Sequence, residues 1–207
     1  MTPAKKQLHI LWINQNANFK GGAENYIFKT VKQLNAQGIT STVLYDVEPW
    51  TEPKWTSAFS EAYPLVNLDI QLESLKPDII YLHQWPGGKV IETLLNYGIP
   101  IVRFIHDSEI FSTREIHLTT AGRKSSMAPT DSKFYTPLLG KAQKLRNLYR
   151  YKKDLLGIGN LNRKQSLRCD SLIVASNYLK EHLINHGALA EKITKIPLFV
   201  EEPVVFN

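Results

Sequence analysis

Three short stretches hold residue types that could do chemistry. Gly21-Gly22 stand between the apolar run of residues 8–13 and a helix-length segment that opens at Ala23. Glycines at a strand-to-helix turn let the backbone approach a ligand. The unpaired amides of the helix start, with the positive end of its dipole, favour an anion such as phosphate. A glycine pair made only for a tight reversal would look the same. His83-Gln84-Trp85 and His106-Asp107 are the other two stretches, each placed directly after a continuous apolar run. In an open parallel sheet the crevice beyond the carboxyl ends of the strands receives the ligand, so two histidines at two strand ends are candidates for one site. A lone histidine is more often hydrogen-bonded scaffold, and the repeated placement is what favours a functional role.

What is missing narrows the chemistry. The chain has no G-x-S-x-G elbow, no H-E-x-x-H and no Walker-type G-x-x-x-x-G-K-[ST], so nothing supports nucleophilic or two-metal catalysis. Dinucleotide binding needs G-x-G-x-x-G, and no third glycine follows Gly21-Gly22-Ala23, although Asp46 lies near the end of the second strand-like run. The single cysteine, Cys169, excludes an internal disulfide framework and any multi-thiolate metal site. It fits a reducing compartment, and its place in Arg168-Cys169-Asp170, on the approach to a strand, reads as structural.

The elements that must position these residues follow one rhythm. Short apolar runs at residues 8–13, 42–44, 79–82, 101–105, 172–175 and 193–196, with a further one at 63–67, are separated by amphipathic segments. Buried parallel strands alternating with covering helices read this way. Ala23, Ile27, Val31 and Leu34 share one face of a helix over 23–37, which Gly38 stops. A second helix spans 88–96, ahead of Gly98 and Pro100, and a third runs over 176–186, with Ser176 as its N-cap and Gly187 closing it. Residues 46–62, with two prolines and two tryptophans, are expected to form a long surface loop with a short helix. Residues 107–132 read as a polar loop, functional or mobile, and beyond it Leu138, Ala142, Leu145, Tyr149, Lys152 and Leu156 fall on one helical face. The expected fold class is α/β: a single Rossmann-like domain over residues 1–200, with a mostly parallel, doubly wound sheet and helices on both faces. Residues 201–207 read as a tail or the start of an interdomain linker.

With 207 residues, 43% apolar and 21% charged, the composition is that of a globular chain and excludes disordered, collagen-like and coiled-coil classes. No apolar run approaches the roughly 18 to 20 residues that span a bilayer. The net charge of +6 is unevenly spread, because residues 133–168 carry ten basic residues against the single acid Asp154 and hold a net +9. Lys141, Lys144, Arg146, Arg150, Lys152 and Lys153, set among Leu145, Leu148, Tyr149, Tyr151 and Leu155, make a cationic helix suited to an anionic membrane surface or an anionic, lipid-linked acceptor. A solvated helix face is the plainer reading of the same residues. Nucleic acid is not an expected partner, since no binding motif accompanies the charge.

Five pieces in order carry a resemblance. They are Gly21-Gly22-Ala23-Glu24 before a helix ending in Gln37-Gly38, then Lys76-Pro77-Asp78-Ile79-Ile80-Tyr81-Leu82-His83, and Gly98-Ile99-Pro100-Ile101-Val102 with His106-Asp107. Cys169-Asp170-Ser171-Leu172-Ile173-Val174-Ala175-Ser176 and Gly187 through Glu191-Lys192-Ile193 to Ile196-Pro197 complete the set. Together they resemble the N-terminal half of a group-1 (family 4) retaining glycosyltransferase with the two-Rossmann GT-B architecture. The resemblance implies transfer of a hexose from a UDP- or GDP-sugar to a hydroxyl of a cell-surface glycan or glycolipid, with no metal and no cofactor besides the nucleotide-sugar substrate. It places Gly21 and Gly22 beside the donor diphosphate and His106 at the donor sugar as the catalytic-site histidine. Glu24, His83, Gln84, Trp85 and Asp107 fall on the acceptor side.

The chain departs from the family pattern in two ways. The donor-binding half of the family carries E-x7-E, and no glutamate here has another eight positions on. Pro197-Leu198-Phe199-Val200 stands where the family usually reads Pro-Asn-Gly-Val. The C-terminal donor-binding domain is therefore expected to be missing, leaving an N-terminal half that is inactive alone. The expected location is cytoplasmic, with peripheral attachment to the inner face of the membrane through the basic helix. The competing reading is a non-catalytic nucleotide- or sugar-binding module with the same core.

Overall fold

The computed structural model describes residues 7–46, 50–83, 88–106 and 164–198. The chain divides into two compact units, one made of Met1–His106 with Cys169–Asn207 and the other of Asp107–Arg168. Of the second, only residues 164–168 are described. The helical face expected over 138–156 and the tail expected at 201–207 lie outside the described residues, as does nearly all of the +9 segment.

In the first unit the chain runs β1 (His9–Asn14), α1 (Gly22–Ala36), β2 (Thr40–Tyr45), α2 (Pro53–Thr56), β3 (Glu61–Pro64), α3 (Leu68–Leu75) and β4 (Ile79–Leu82). It continues through α4 (Gly88–Tyr97), β5 (Ile101–Ile105), β6 (Ser171–Val174), α5 (Asn177–Asn185) and β7 (Ile193–Lys195). The strands form one sheet in the order β3-β2-β1-β4-β5-β6-β7, and every neighbouring pair is parallel. This is the doubly wound α/β arrangement read from the sequence. The direction of winding reverses between β1 and β4, which makes that boundary the switch point of the sheet.

The central strands are buried on both faces, which is why they read as continuous apolar runs rather than as alternating ones. On one face Ile10, Trp12, Val43, Tyr81 and Phe104 pack with Ile27 and Val31 of α1. Trp12 and Tyr81, paired in register across β1 and β4, bring their rings to 4.2 Å. Two matched clips hold the opposite end of the sheet. Asp78, just before β4, donates its backbone N–H to His9 O (2.9 Å) and accepts from His9 N through Oδ2 (3.0 Å). Asp170, just before β6, repeats this on Ile101, at 3.0 Å and 2.8 Å. Helix ends follow the expected rules. Ser176 Oγ accepts from Leu179 N at 3.2 Å to cap α5, and Gly38 and Gly187 take the left-handed backbone, at φ 79° and 95°, that stops α1 and α5.

Three sequence expectations change. The segment at 46–62 does contain a short helix, α2, but it is not all surface: Trp55 is completely buried and its indole N–H donates to Glu24 O at 2.9 Å, while Trp50 is exposed. Prolines hid this, because a single anchoring side chain leaves no periodicity to read. The strand expected at 63–67 lies at Glu61–Pro64 and ends at a proline, whose missing N–H is tolerated because β3 lies at the sheet edge. Helix α3 was not anticipated. It buries only Leu72, has its N-cap in Asn67 (Oδ1 accepting from Ile70 N, 3.3 Å) and ends at Lys76 in the left-handed region (φ 47°).

The clips predict a stability effect remote from the crevice. Asp170→Ala leaves the Ile101 amide without its carboxylate and is expected to lower unfolding free energy by about 1 to 3 kcal/mol, with Asp170→Asn milder because an amide oxygen still accepts. Urea unfolding of the three proteins checks the ranking; equal midpoints would remove the clip from the account.

Candidate functional site

The carboxyl ends of β1, β4 and β5 come together at the switch point. Register makes the site. Ile13 pairs with Leu82, so the next residues, Asn14 and His83, stand at the same level on adjacent strands. Leu82 pairs with Arg103, which sets His83 beside Phe104, and two residues further on β5 gives way to His106 on the same face.

The rings of these residues form a stack. His83 lies nearly parallel to Phe104 (centroids 5.0 Å, 6°) and to His106 (4.9 Å, 24°), with Tyr26 of α1 at 5.6 Å. His83 is 3% exposed, whereas His106 is open to solvent at the rim. Burial, with the nearby His106 adding to it, lowers the pKa of His83 to about 3, so its imidazole is neutral. Among the described residues, neither ring nitrogen of His83 has a hydrogen-bond partner.

The turn from β1 to α1 is a network of buried polar side chains. Asn14 Nδ2 donates to Asn16 O (2.8 Å), and Asn16 Nδ2 donates to Glu24 Oε1 (3.1 Å). Asn18 Nδ2 donates to Trp50 O (2.8 Å), and Glu52 holds the loop from outside, its N–H donating to Ala17 O and its carboxylate accepting from Phe19 N. Glu24 is 2% exposed. A buried carboxylate must be hydrogen-bonded, and in the first turn of α1 it also meets the positive end of the helix dipole.

Gly21 precedes α1 with extended backbone (φ −165°), open to any residue, so its backbone conformation does not call for glycine. A Cβ on Gly21 would lie 3.4 Å from Glu24 Oε2, and one on Gly22 would meet nothing within 4 Å. The N-cap residue, Gly21, has no side chain with which to cap the helix. Both glycines are exposed.

Of the residues singled out in the sequence, Gly21, Gly22, Glu24, His83 and His106 are described and belong to this end of the sheet. Gln84, Trp85 and Asp107 lie outside the described residues, as do Lys141, Lys144, Arg146, Arg150, Lys152 and Lys153. Asn14 and Tyr26 were missed. Asn14 closes an apolar run and could have been found as a polar strand end, but Tyr26 falls on an ordinary helical position with no signal of its own. Cys169 is buried and its thiol is pushed up to about 11, chiefly by desolvation, which fits a structural role. Among the described residues no helix is long and apolar enough to cross a membrane.

The family model described as Glycosyltransferase Family 4 matches residues 20–202, nearly the whole chain. The chain belongs to that family. No curated protein sequence matches it. Among solved structures, this family 4 domain is similar to HepE from Anabaena, solved in complex with UDP-glucose. The TM-score is 0.54 at 14% identity, covering 94% of this chain and 44% of HepE. A glycosyltransferase from Rickettsia africae is similar at TM-score 0.52 and 13% identity, covering 93% of this chain and 43% of that one. At such identities the likeness shows the fold. The family 4 domain spans less than half the length of either structure.

The burial of His83 has a measurable consequence. Its value when folded, about 3, lies below the ordinary 6.5, so between the two the unfolded chain takes up a proton that the folded chain does not. Stability is therefore full above the ordinary value and declines as pH falls towards the lower one, by at most about 1.4 kcal/mol per pH unit from this residue. His83→Phe is expected to flatten that part of the profile in urea unfolding at about pH 7 and about pH 5, and an unchanged slope would contradict the assignment.

Proposed function

We propose that the chain is the acceptor-side domain of a retaining hexosyltransferase that moves a sugar from UDP- or GDP-hexose to a hydroxyl of a cell-surface glycan or glycolipid, without a metal. The observation that carries this reading is the pair of stacked histidines at the switch point of a domain belonging to the family, one buried and neutral, the other at the rim. HepE, of similar fold, was solved with UDP-glucose, which supports a nucleotide sugar as donor here.

In this reading the donor diphosphate lies before the open start of α1, where Gly21 and Gly22 leave amides accessible. His106 meets the donor sugar near the reacting carbon, and Glu24, His83, Gln84, Trp85 and Asp107 belong to the acceptor side. The acceptor oxygen bonds to the anomeric carbon, the bond from that carbon to the diphosphate breaks with its electron pair going to the diphosphate, and the hydroxyl proton is released. Such a reaction is accelerated by holding the partners in line and by stabilising the charge of the departing group. A second domain that grips the nucleotide completes the enzyme, since this chain spans 44% of HepE. The active protein is accordingly expected to continue beyond Asn207 into a half with E-x7-E, and the present chain alone to be inactive.

The expected partners are the nucleotide sugar, the glycan or lipid-linked acceptor, that second domain and, through the basic helix, an anionic membrane surface on the cytoplasmic side. In the extended protein, His106→Ala should lower turnover about a hundredfold or more while changing unfolding free energy little, because His106 is exposed. Unaltered turnover would take His106 out of the site. Thermal shift against a panel of UDP- and GDP-hexoses reads donor choice, since a ligand bound only by the folded state raises apparent stability. For the membrane, co-sedimentation with anionic vesicles should fall when Lys141, Lys144, Arg146, Arg150, Lys152 and Lys153 are changed to Gln, and equal partitioning of both proteins would refute the attachment.

A further inference from the structure

Helix α5 and its C-terminal cap carry three rings at four-residue spacing: Tyr178, His182 and His186. Tyr178 and His182 lie nearly parallel (centroids 5.6 Å, 10°), and the imidazoles of His182 and His186 approach to 4.4 Å at an angle of 52°. Residues four apart stand one turn above each other on the same side of a helix, so two imidazoles at this spacing can be reached by a single ion. Both histidines are half-buried, and part of each side chain meets solvent.

The hydrogen bond made by His186 decides its tautomer. Its Nδ1 lies 2.7 Å from His182 O, and a carbonyl only accepts, so Nδ1 carries the proton and the lone pair of the neutral ring is on Nε2. Metal-binding histidines usually make such a donor bond with their second nitrogen, because it holds the ring in place and raises the basicity of the ligating nitrogen. Tyr178, stacked on His182, restricts the other ring. The position also favours a cation: His182 is in the last turn of α5 and His186 caps it, where the negative end of the helix dipole lies. Two imidazoles are ligands for zinc, nickel or copper, whereas magnesium and calcium take oxygen. Among the described residues no third histidine, cysteine, aspartate or glutamate joins the pair, so water would complete the coordination.

We infer that His182 and His186 form a binding site for a divalent d-block ion such as zinc or nickel, a clip across the last turn of α5. Helix α5 begins beyond the carboxyl end of β6 and returns the chain towards the start of β7. The clip therefore stands at the opposite edge of the sheet from the crevice, takes no part in sugar transfer and acts on stability.

The test uses the 207-residue chain stripped of metal with EDTA. Its melting temperature is expected to rise saturably with zinc and with nickel and to stay unchanged with magnesium, since an ion bound only by the folded state stabilises it. In histidine-labelled protein followed by NMR, zinc should shift the ring signals of His182 and His186 together, at a lower concentration than those of the other histidines. His182→Gln and His186→Gln should each weaken zinc affinity about tenfold or more. His182→Gln keeps the carbonyl that His186 binds and should melt like the parent chain without metal. No rise with zinc or nickel, an equal rise with magnesium, or undiminished zinc affinity in His182→Gln would each overturn the inference. Zinc shifts at other histidines while these two stay in place would do the same, and that measurement needs no variant.

Discussion

The seating of β4 between β1 and β5 is the constraint on which the crevice depends. Side chains alternate across a sheet, so a slip of one residue would send every ring on β4 to the other face and leave the switch point without His83. Two features forbid that slip. At the start of the strand, Asp78 grips His9 with both backbone N–H and carboxylate. In the middle, Tyr81 lies against Trp12 at 4.2 Å, an aromatic contact that a shifted register would replace with Ile80 or Leu82. The same aspartate device recurs before β6, so β4 and β6 both begin from a fixed height.

With the strand ends fixed, the polarity of the crevice follows from what is buried there. Glu24 occupies the first turn of α1 and is held by Asn16, so the helix dipole already has a negative partner inside the protein. Gly21 and Gly22 are exposed at the same turn, and nothing would meet a Cβ on Gly22 within 4 Å. Further in, at Asn14 and His83, the polar atoms are neutral and enclosed. One end of the sheet thus combines an exposed glycine turn at its mouth with enclosed, neutral polar groups beneath.

The central strands were legible because a parallel strand covered on both faces is written in apolar residues, whereas the edge strand β3, Glu61-Ala62-Tyr63-Pro64 with alternate residues exposed, left only a displaced mark. The two histidines were legible for a related reason, since a polar residue directly after such a run must stand at the sheet's carboxyl edge. Trp55 was not legible: it anchors the 46–62 segment through one fully buried indole, and neighbouring prolines erase any period. Helix α3 was not legible because one buried leucine, Leu72, is too little amphipathicity to distinguish a helix from a loop. Asn14 could have been read as a polar strand end, but nothing in the sequence separates it from the other asparagines of its turn, and its bond to Asn16 O is visible only in the structure.

The stacked histidines cannot share one task. Burial holds His83 neutral far below pH 7, so it is a poor proton carrier. Making it charged would place an imidazolium against Phe104 with almost no access to water, and burial is what opposes this first. Neutrality suits a different use. A ring that never changes charge keeps one donor and one acceptor in fixed places whatever happens at the rim, and its parallel face at 4.9 Å gives His106 a flat surface to rest on.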